Sequence, residues 1–239
     1  MEDFKRVYGL LWLRITRLWA SLPVLFLAFL LYGIVTNLLT SLTTQLSGGM
    51  AIGFLRWALE LAILTHLAGL MNQLLRKERL SMEDLIRFDG VYFAPLSQVY
   101  FVIFLVEWVY SLFLQRLMPA SLHICLLMAW SLVCAPVFEL VYQGQVRLDQ
   151  FFDRFLQFWK ENGIVLLPYS LLCLLIYYWI GRSSALLALI LPGSAAWSYL
   201  LLTAFLSTLY YFTKGLLFNL LWTSSKRSRA YREKSEPWR

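Results

Sequence analysis

This sequence contains six long apolar stretches. Its basic residues cluster before the first stretch and after the second, the fourth and the sixth. Each stretch is close to the roughly 20 residues that a helix needs to cross a bilayer. We therefore predict an all-α, polytopic transmembrane bundle of six helices within residues 1–222, followed by a basic tail at 223–239. The predicted spans are about 22–45, 51–75, 96–118, 121–143, 163–181 and 195–222.

Four basic clusters mark one side of the predicted membrane. The positive-inside rule assigns all four to the cytoplasm, together with both termini, which predicts a multi-pass protein of the bacterial inner (plasma) membrane. The net charge of +7 is spread through these segments, so we attribute it to topology and to anionic lipid headgroups rather than to nucleic-acid binding. The clusters are Lys5, Arg6, Arg14 and Arg17; Arg76, Lys77, Arg79 and Arg87; Arg147, Arg154 and Lys160; and Lys226, Arg227, Arg229, Arg232, Lys234 and Arg239.

Three amphipathic helix patterns precede the odd-numbered spans, at 4–19, from Ser81 to Phe93, and at 147–161. Ser81 is the predicted N-cap of the second, and Asn162-Gly163 is the predicted end of the third. We expect all three to lie in the headgroup plane on the cytoplasmic side. The helices at 4–19 and 147–161 are candidate docking surfaces for lipid or a protein partner. In the helix at 147–161, the candidate docking residues are Phe152, Phe155 and Trp159.

The three lead-in helices and their hairpins suggest a repeated unit. Pro23, Pro95 and Pro168 stand near the starts of the first, third and fifth spans, about 72 residues apart. The alternative is that this spacing is a coincidence. The interval between an Arg-Phe pair and the following proline is longer from Arg154-Phe155 to Pro168 than from Arg87-Phe88 to Pro95. The connection at 181–194 is also longer than the others, and we expect a short surface helix or a re-entrant segment there.

Two segments carry a family resemblance, Arg87-Phe88 and the amphipathic run at 151–162, each leading into a span. In these the chain resembles bacterial six-helix membrane proteins that share their architecture with the membrane domain found beside some glycerophosphodiester phosphodiesterases. The soluble phosphodiesterase domain has no counterpart in the sequence. The resemblance thus implies an architecture and carries over no catalytic residue.

Charged side chains inside the spans need partners, because each costs at least about 2.5–3.5 kcal/mol in the hydrocarbon layer. Arg56 and Glu60 are four residues apart and can pair along one helix face. Glu107 falls at a similar depth, so an Arg56–Glu60–Glu107 cluster is geometrically allowed. Glu139 and Lys214 are close enough in depth to form an interhelical salt bridge.

His66 lies in the middle of the second span and does not share a helix face with Glu60. We interpret it as a histidine that is hydrogen-bonded to a neighbouring helix rather than as a metal ligand. Gln73 shares its face, which favours a polar seam toward the cytoplasm.

No enzyme signature is present in the sequence. It contains neither GxSxG nor HExxH, nor a nucleotide-binding glycine pattern, and its three cysteines form no CxxC pair. We predict no metal, no cofactor and no catalytic residues.

Two functions stay open from the sequence. The first is a non-enzymatic scaffold or accessory subunit of a membrane complex, with lipid and an unknown protein as partners, in which the charged pairs hold helices in register. The second is a permease or permease subunit that moves a proton, an ion or a small solute along a polar path at Glu60, Glu107 and Glu139.

Overall fold

The computed structural model describes residues 2–45, 50–113, 118–144, 148–190 and 195–224. These residues form helices and no strand, and six of the helical segments are long and apolar enough to cross a membrane. Large apolar side chains are exposed along these segments, as expected for a surface that faces lipid. The predictions of an all-α fold and of a multi-pass membrane protein are confirmed. The connections at 46–49 and 191–194 and the tail from 225 lie outside the described residues.

Nine α-helices follow one another along the described chain. The bounds are α1 Glu2–Leu18, α2 Leu22–Gln45, α3 Met50–Lys77, α4 Met82–Ile86, α5 Phe93–Phe113, α6 Ala120–Val133, α7 Val137–Tyr142, α8 Leu148–Ile190 and α9 Ala195–Thr223. Two 3-10 turns, Trp19–Ser21 and Gly90–Tyr92, lead into α2 and α5.

The core is organised around α9 and α3. Helix α9 packs against α1, α2 and α8, while α3 packs against α2, α5 and α7. Helices α2 and α9 run antiparallel, since Phe29 stacks on Tyr211 at 5.2 Å and Gly33 lies against Leu200. All six residues of α7 are buried, so this short helix lies inside the bundle.

Helix α1 uses only part of its predicted apolar stripe. Val7, Leu11 and Leu18 are buried in the core, whereas Trp12 and Trp19 are 66% and 68% exposed. Helix α1 therefore packs on the bundle, while Phe4, Trp12 and, in the following 3-10 turn, Trp19 remain on the outside.

The second predicted lead-in helix is shorter than expected. Ser81 is its N-cap, with a reciprocal capping box to Asp84, but α4 ends after five residues at Ile86 and the backbone is extended at Arg87. The β-region conformation of Arg87 breaks the helix before Phe93, where α5 starts.

The prediction that a helix ends at Asn162-Gly163 is wrong. Helix α8 continues through both residues and through Pro168 to Ile190, over 43 residues, or about 65 Å at 1.5 Å per residue. Asn162 and Gly163 are buried against the bundle, and tertiary packing outweighs the weak helix propensity of these residues. Residues 181–190, for which we expected a surface or re-entrant segment, continue this helix.

Candidate functional site: a buried ion pair at a broken helix

The fourth predicted span is interrupted. Helix α6 ends at Val133, a turn covers 134–136, and α7 resumes at Val137. Pro136 explains the break, because proline has no backbone N–H and its ring clashes with the preceding helical turn. The hydropathy of the sequence predicts one continuous helix over 121–143, and Pro136 is the sequence signal for the observed interruption.

The break exposes a backbone carbonyl to a charged side chain. The carbonyl oxygen of Ala135 accepts a hydrogen bond of 3.1 Å from Lys214 Nζ on α9. Discontinuous helices at membrane depth are tolerated where such groups find a partner inside the protein.

Lys214 also pairs with Glu139. Its Nζ lies 3.2 Å from Glu139 Oε1, and the two side chains are only 6% and 1% exposed. The rings of Tyr210 and Tyr211 lie 4.7 and 5.2 Å from the same ammonium group, which adds cation–π attraction. The sequence-based prediction of an interhelical Glu139–Lys214 salt bridge agrees with this geometry, which joins α7 to α9.

The carboxylate of Glu139 keeps unused acceptor capacity. Within the described residues, Glu139 Oε2 is buried and meets no hydrogen-bond donor. A buried carboxylate oxygen of this kind is costly, and it is also able to accept a proton or a donor group from a ligand.

A second polar contact reinforces the approach of α7 to α9. Gln143 Nε2 donates to Tyr142 Oη at 2.8 Å and to the carbonyl oxygen of Gly215 at 3.0 Å. A Cβ at residue 215 would lie 2.8 Å from Tyr142 Oη and 2.5 Å from Met71 Cε, so a larger residue there would displace both side chains.

His66 is held by another helix. Its Nδ1 is hydrogen-bonded to the hydroxyl of Tyr32 on α2, and its ring stacks on Phe88 at 6.0 Å between centroids. His66 Nε2 and Gln73 Oε1 are buried atoms of α3 that lack a hydrogen-bond partner in the described part of the chain.

The allowed Arg56–Glu60–Glu107 cluster does not form within the described residues. Arg56 Nε donates to Glu60 Oε1 at 2.9 Å, and both side chains are about half exposed. Glu107 instead accepts a hydrogen bond of 2.9 Å from Trp130 Nε1 on α6. The three glutamates therefore occupy three separate environments.

The predicted docking residues of α8 are divided between the inside and the outside. Phe152 is 57% exposed, whereas Phe155 is half-buried and packs against the core. Trp159 is also half-buried and donates its Nε1–H to the carbonyl oxygen of Val133 at the end of α6.

Phe152 and Phe155 line an apolar groove of about 210 Å³ among α5, α6, α7 and α8. All of its lining surface is apolar. The other lining residues are Val99, Val102, Ile103, Val106, Trp130, Val133, Cys134, Val137, Leu148 and Phe151.

Among the side chains that the structure describes, no group of three or more His, Cys, Asp or Glu residues could hold a metal ion. The sequence alone does not identify the partners Tyr32, Trp130 and the Ala135 carbonyl. Aromatic donors and backbone carbonyls have no charge that would distinguish them in a sequence. Only the Ala135 carbonyl was indicated, by the neighbouring Pro136. No family model, curated protein or solved structure matches this chain.

Proposed function

We propose that this chain is a non-enzymatic integral membrane protein that acts as a scaffold or accessory subunit of a membrane complex. One observation supports this function best: the three glutamates of the spans are engaged separately, each with a nearby partner. Glu60 pairs with Arg56, Glu107 with Trp130, and Glu139 with Lys214. Pairs of this kind hold helices in register. Lipid tails are as apolar as the helix surfaces, so the hydrophobic effect does not drive the helices together.

We further propose that the protein lies in a bacterial inner membrane with both termini in the cytoplasm. Two described members of the basic clusters support this orientation, since Arg14 lies beside the end of α9 and Arg17 lies just beyond the end of α3. Arg14 Nη1 donates to Asn219 Oδ1 at 2.6 Å, and Arg17 lies 3.7 Å from the carboxylate of Glu78. Helix α1 and the start of α8 would then lie at the cytoplasmic headgroups, and the resemblance to bacterial six-helix proteins is part of the same proposal.

A site-specific cross-linking experiment tests the scaffold function. A photoreactive residue at Phe152, which is exposed on α8, should give a discrete adduct with a membrane protein in living cells. The same residue at Leu201, which is 48% exposed on α9, is the matched control and should give lipid adducts only. Equal adducts at both positions, or protein adducts at neither, would contradict the proposal.

The broken helix favours a permease as the second candidate. Transporters commonly place substrate and ion sites at discontinuous helices near the middle of the bilayer. Glu139 lies just after such a break and has an unengaged carboxylate oxygen.

Proteoliposomes distinguish the two functions. A permease that uses Glu139 would dissipate an imposed ion or pH gradient, and Glu139→Gln would abolish the flux. For an accessory subunit, the wild-type chain and the variant should both leave the gradient at the level of empty liposomes.

A further inference from the structure

Glu107 is a carboxylate on the outer surface of a membrane span. It lies on α5, is exposed, and is about 21 Å along the helix from Phe93 at 1.5 Å per residue. Since the hydrocarbon core is about 30 Å thick, this depth is inside it. The side chain therefore faces lipid in the isolated chain.

No cation within the described residues compensates Glu107. Its hydrogen bond from Trp130 engages Oε1 only, and an indole carries no charge. Glu60 is the informative comparison, because it is also exposed on a span but has Arg56 at 2.9 Å. A charge at the lipid surface costs at least about 2.5–3.5 kcal/mol on insertion scales, so Glu107 calls for a partner of opposite charge.

The apolar groove lies directly beside this carboxylate. Val106 precedes Glu107 and Trp130 hydrogen-bonds to it, and both residues line the groove. At about 210 Å³ the groove is smaller than the roughly 300–1,000 Å³ that small-molecule sites occupy. It has the size and the chemistry to receive apolar side chains of a packed helix.

We propose that Glu107 and this groove form the docking site for a transmembrane helix of another protein. That helix carries an arginine or lysine at the depth of Glu107 and places apolar side chains in the groove. The inference rests on the proposed accessory-subunit function and names the chemistry of the partner.

A second copy of the chain is a poorer fit. Among the side chains described within the spans, the cations Arg56 and Lys214 are already engaged by Glu60 and Glu139. Two copies meeting at this surface would place carboxylate near carboxylate, which is repulsive in a low dielectric.

Synthetic transmembrane peptides test the proposal directly. The full chain, labelled at its C-terminus, is reconstituted in liposomes with labelled Leu-Ala peptides of about 20 residues that carry a central arginine, leucine or glutamate. Energy transfer measures association. We expect the arginine peptide to associate about fivefold to thirtyfold more tightly than the leucine peptide, in line with interhelical polar contacts of about 1–2 kcal/mol.

Three variants assign that preference to Glu107. Glu107→Gln should remove the preference for arginine, while Glu60→Gln, the matched loss of an exposed carboxylate, should keep it. Leu201→Ala, at an exposed position of α9 that does not line the groove, should keep it too. Thermal melting of each variant checks that it folds.

Several results would overturn the proposal: equal association of the three peptides, a preference that survives Glu107→Gln, or energy transfer only between labelled copies of the chain. Loss of the arginine preference alone, with the Phe152 cross-link intact, would reject this docking site and leave the proposed function standing. Absence of the Phe152 cross-link with the arginine preference intact would contradict the proposed function, and the docking proposal that rests on that function would fall with it.

Discussion

Lys214 Nζ lies between Glu139 Oε1 at 3.2 Å and the carbonyl oxygen of Ala135 at 3.1 Å, so one ammonium group ties α9 both to α7 and to the turn that separates α6 from α7. All three partners are buried. A buried pair of this kind is strongly destabilised when one member is removed, because the other charge is left without compensation.

Removing either charge of this pair should destabilise the protein more than removing both. We expect Glu139→Met or Lys214→Met alone to lower the free energy of unfolding by about 3–5 kcal/mol, and the double variant to recover most of that loss. Denaturant unfolding in detergent micelles measures it. The pair Arg17 and Glu78, which lies outside the spans at 3.7 Å with side chains 72% and 60% exposed, is the control, and its single variants should cost about 1 kcal/mol or less. Additive losses in the double Glu139/Lys214 variant would contradict the assignment.

Gly215 should not tolerate a larger side chain. An added Cβ would press on Tyr142 Oη and Met71 Cε, so we expect Gly215→Ala to lower stability by about 1–3 kcal/mol despite the better helix propensity of alanine. Gly53→Ala, where a Cβ would meet nothing within 4 Å, is the matched control and should be neutral or slightly stabilising. Thermal melting of the two variants decides between these outcomes, and equal midpoints would be evidence against the close packing of α9 on α7.

The hydrogen bond between Tyr32 and His66 should contribute modestly to the packing of α2 on α3. We expect Tyr32→Phe to cost about 0.6–1.7 kcal/mol, which spans the average and the largest value for polar contacts between membrane helices. Tyr199→Phe on α9 is a control with the same chemical change at an exposed position. If both variants unfold at the same denaturant concentration as the wild type, the bond is energetically silent.

Asp84 makes the connection between α3 and α4 sensitive to acid. The Lys77 ammonium at 2.7 Å and the Ser81 backbone N–H at 2.9 Å lower the pKa of this carboxyl from 3.8 to about 2. A lowered pKa means that the carboxylate stabilises the fold above about pH 4 and that this contribution is lost as the pH falls from about 4 to about 2.

The matched variants are Asp84→Ala and Glu83→Ala. Above pH 5 we expect Asp84→Ala to cost about 1–2 kcal/mol through loss of the capping box, and the difference from wild type to shrink between about pH 4 and pH 2. Exposed Glu83 should show little effect at either pH. Hydrogen exchange of the Ser81–Asp84 amides at a series of pH values measures this, and a difference that is independent of pH would count against the assigned pKa.

Most of the fold was predictable from the hydropathy and the charge pattern of the sequence. Five of the six predicted spans lie within or close to observed helices, because a run of about 20 apolar residues has few alternatives to a membrane helix. The errors arose where local signals compete with packing. Asn162 and Gly163 normally end a helix, yet they are buried and helical within α8. Pro136 was present in the sequence, but apolar residues on both sides hid the break.

The candidate site was predictable only in its charged members. Glu139 and Lys214 were identified because charges are rare within spans and depth can be counted along a helix. The partner of Glu107 was not, since depth does not specify the direction in which a side chain points around its helix. In the sequence, Trp130 and Tyr32 resemble aromatic residues that lie at the membrane interface or in the core. Only their hydrogen bonds to Glu107 and His66 show that they are polar partners.

Every functional proposal for this chain requires six membrane crossings with both termini in the cytoplasm. Paired reporter fusions, one active only in the cytoplasm and one only after export, test this most directly. We predict cytoplasmic activity for fusions after residues 18, 80, 145 and 239, and export for fusions after 47, 118 and 192. Termini on opposite sides, or an odd number of crossings, would contradict the topology and the functions proposed from it.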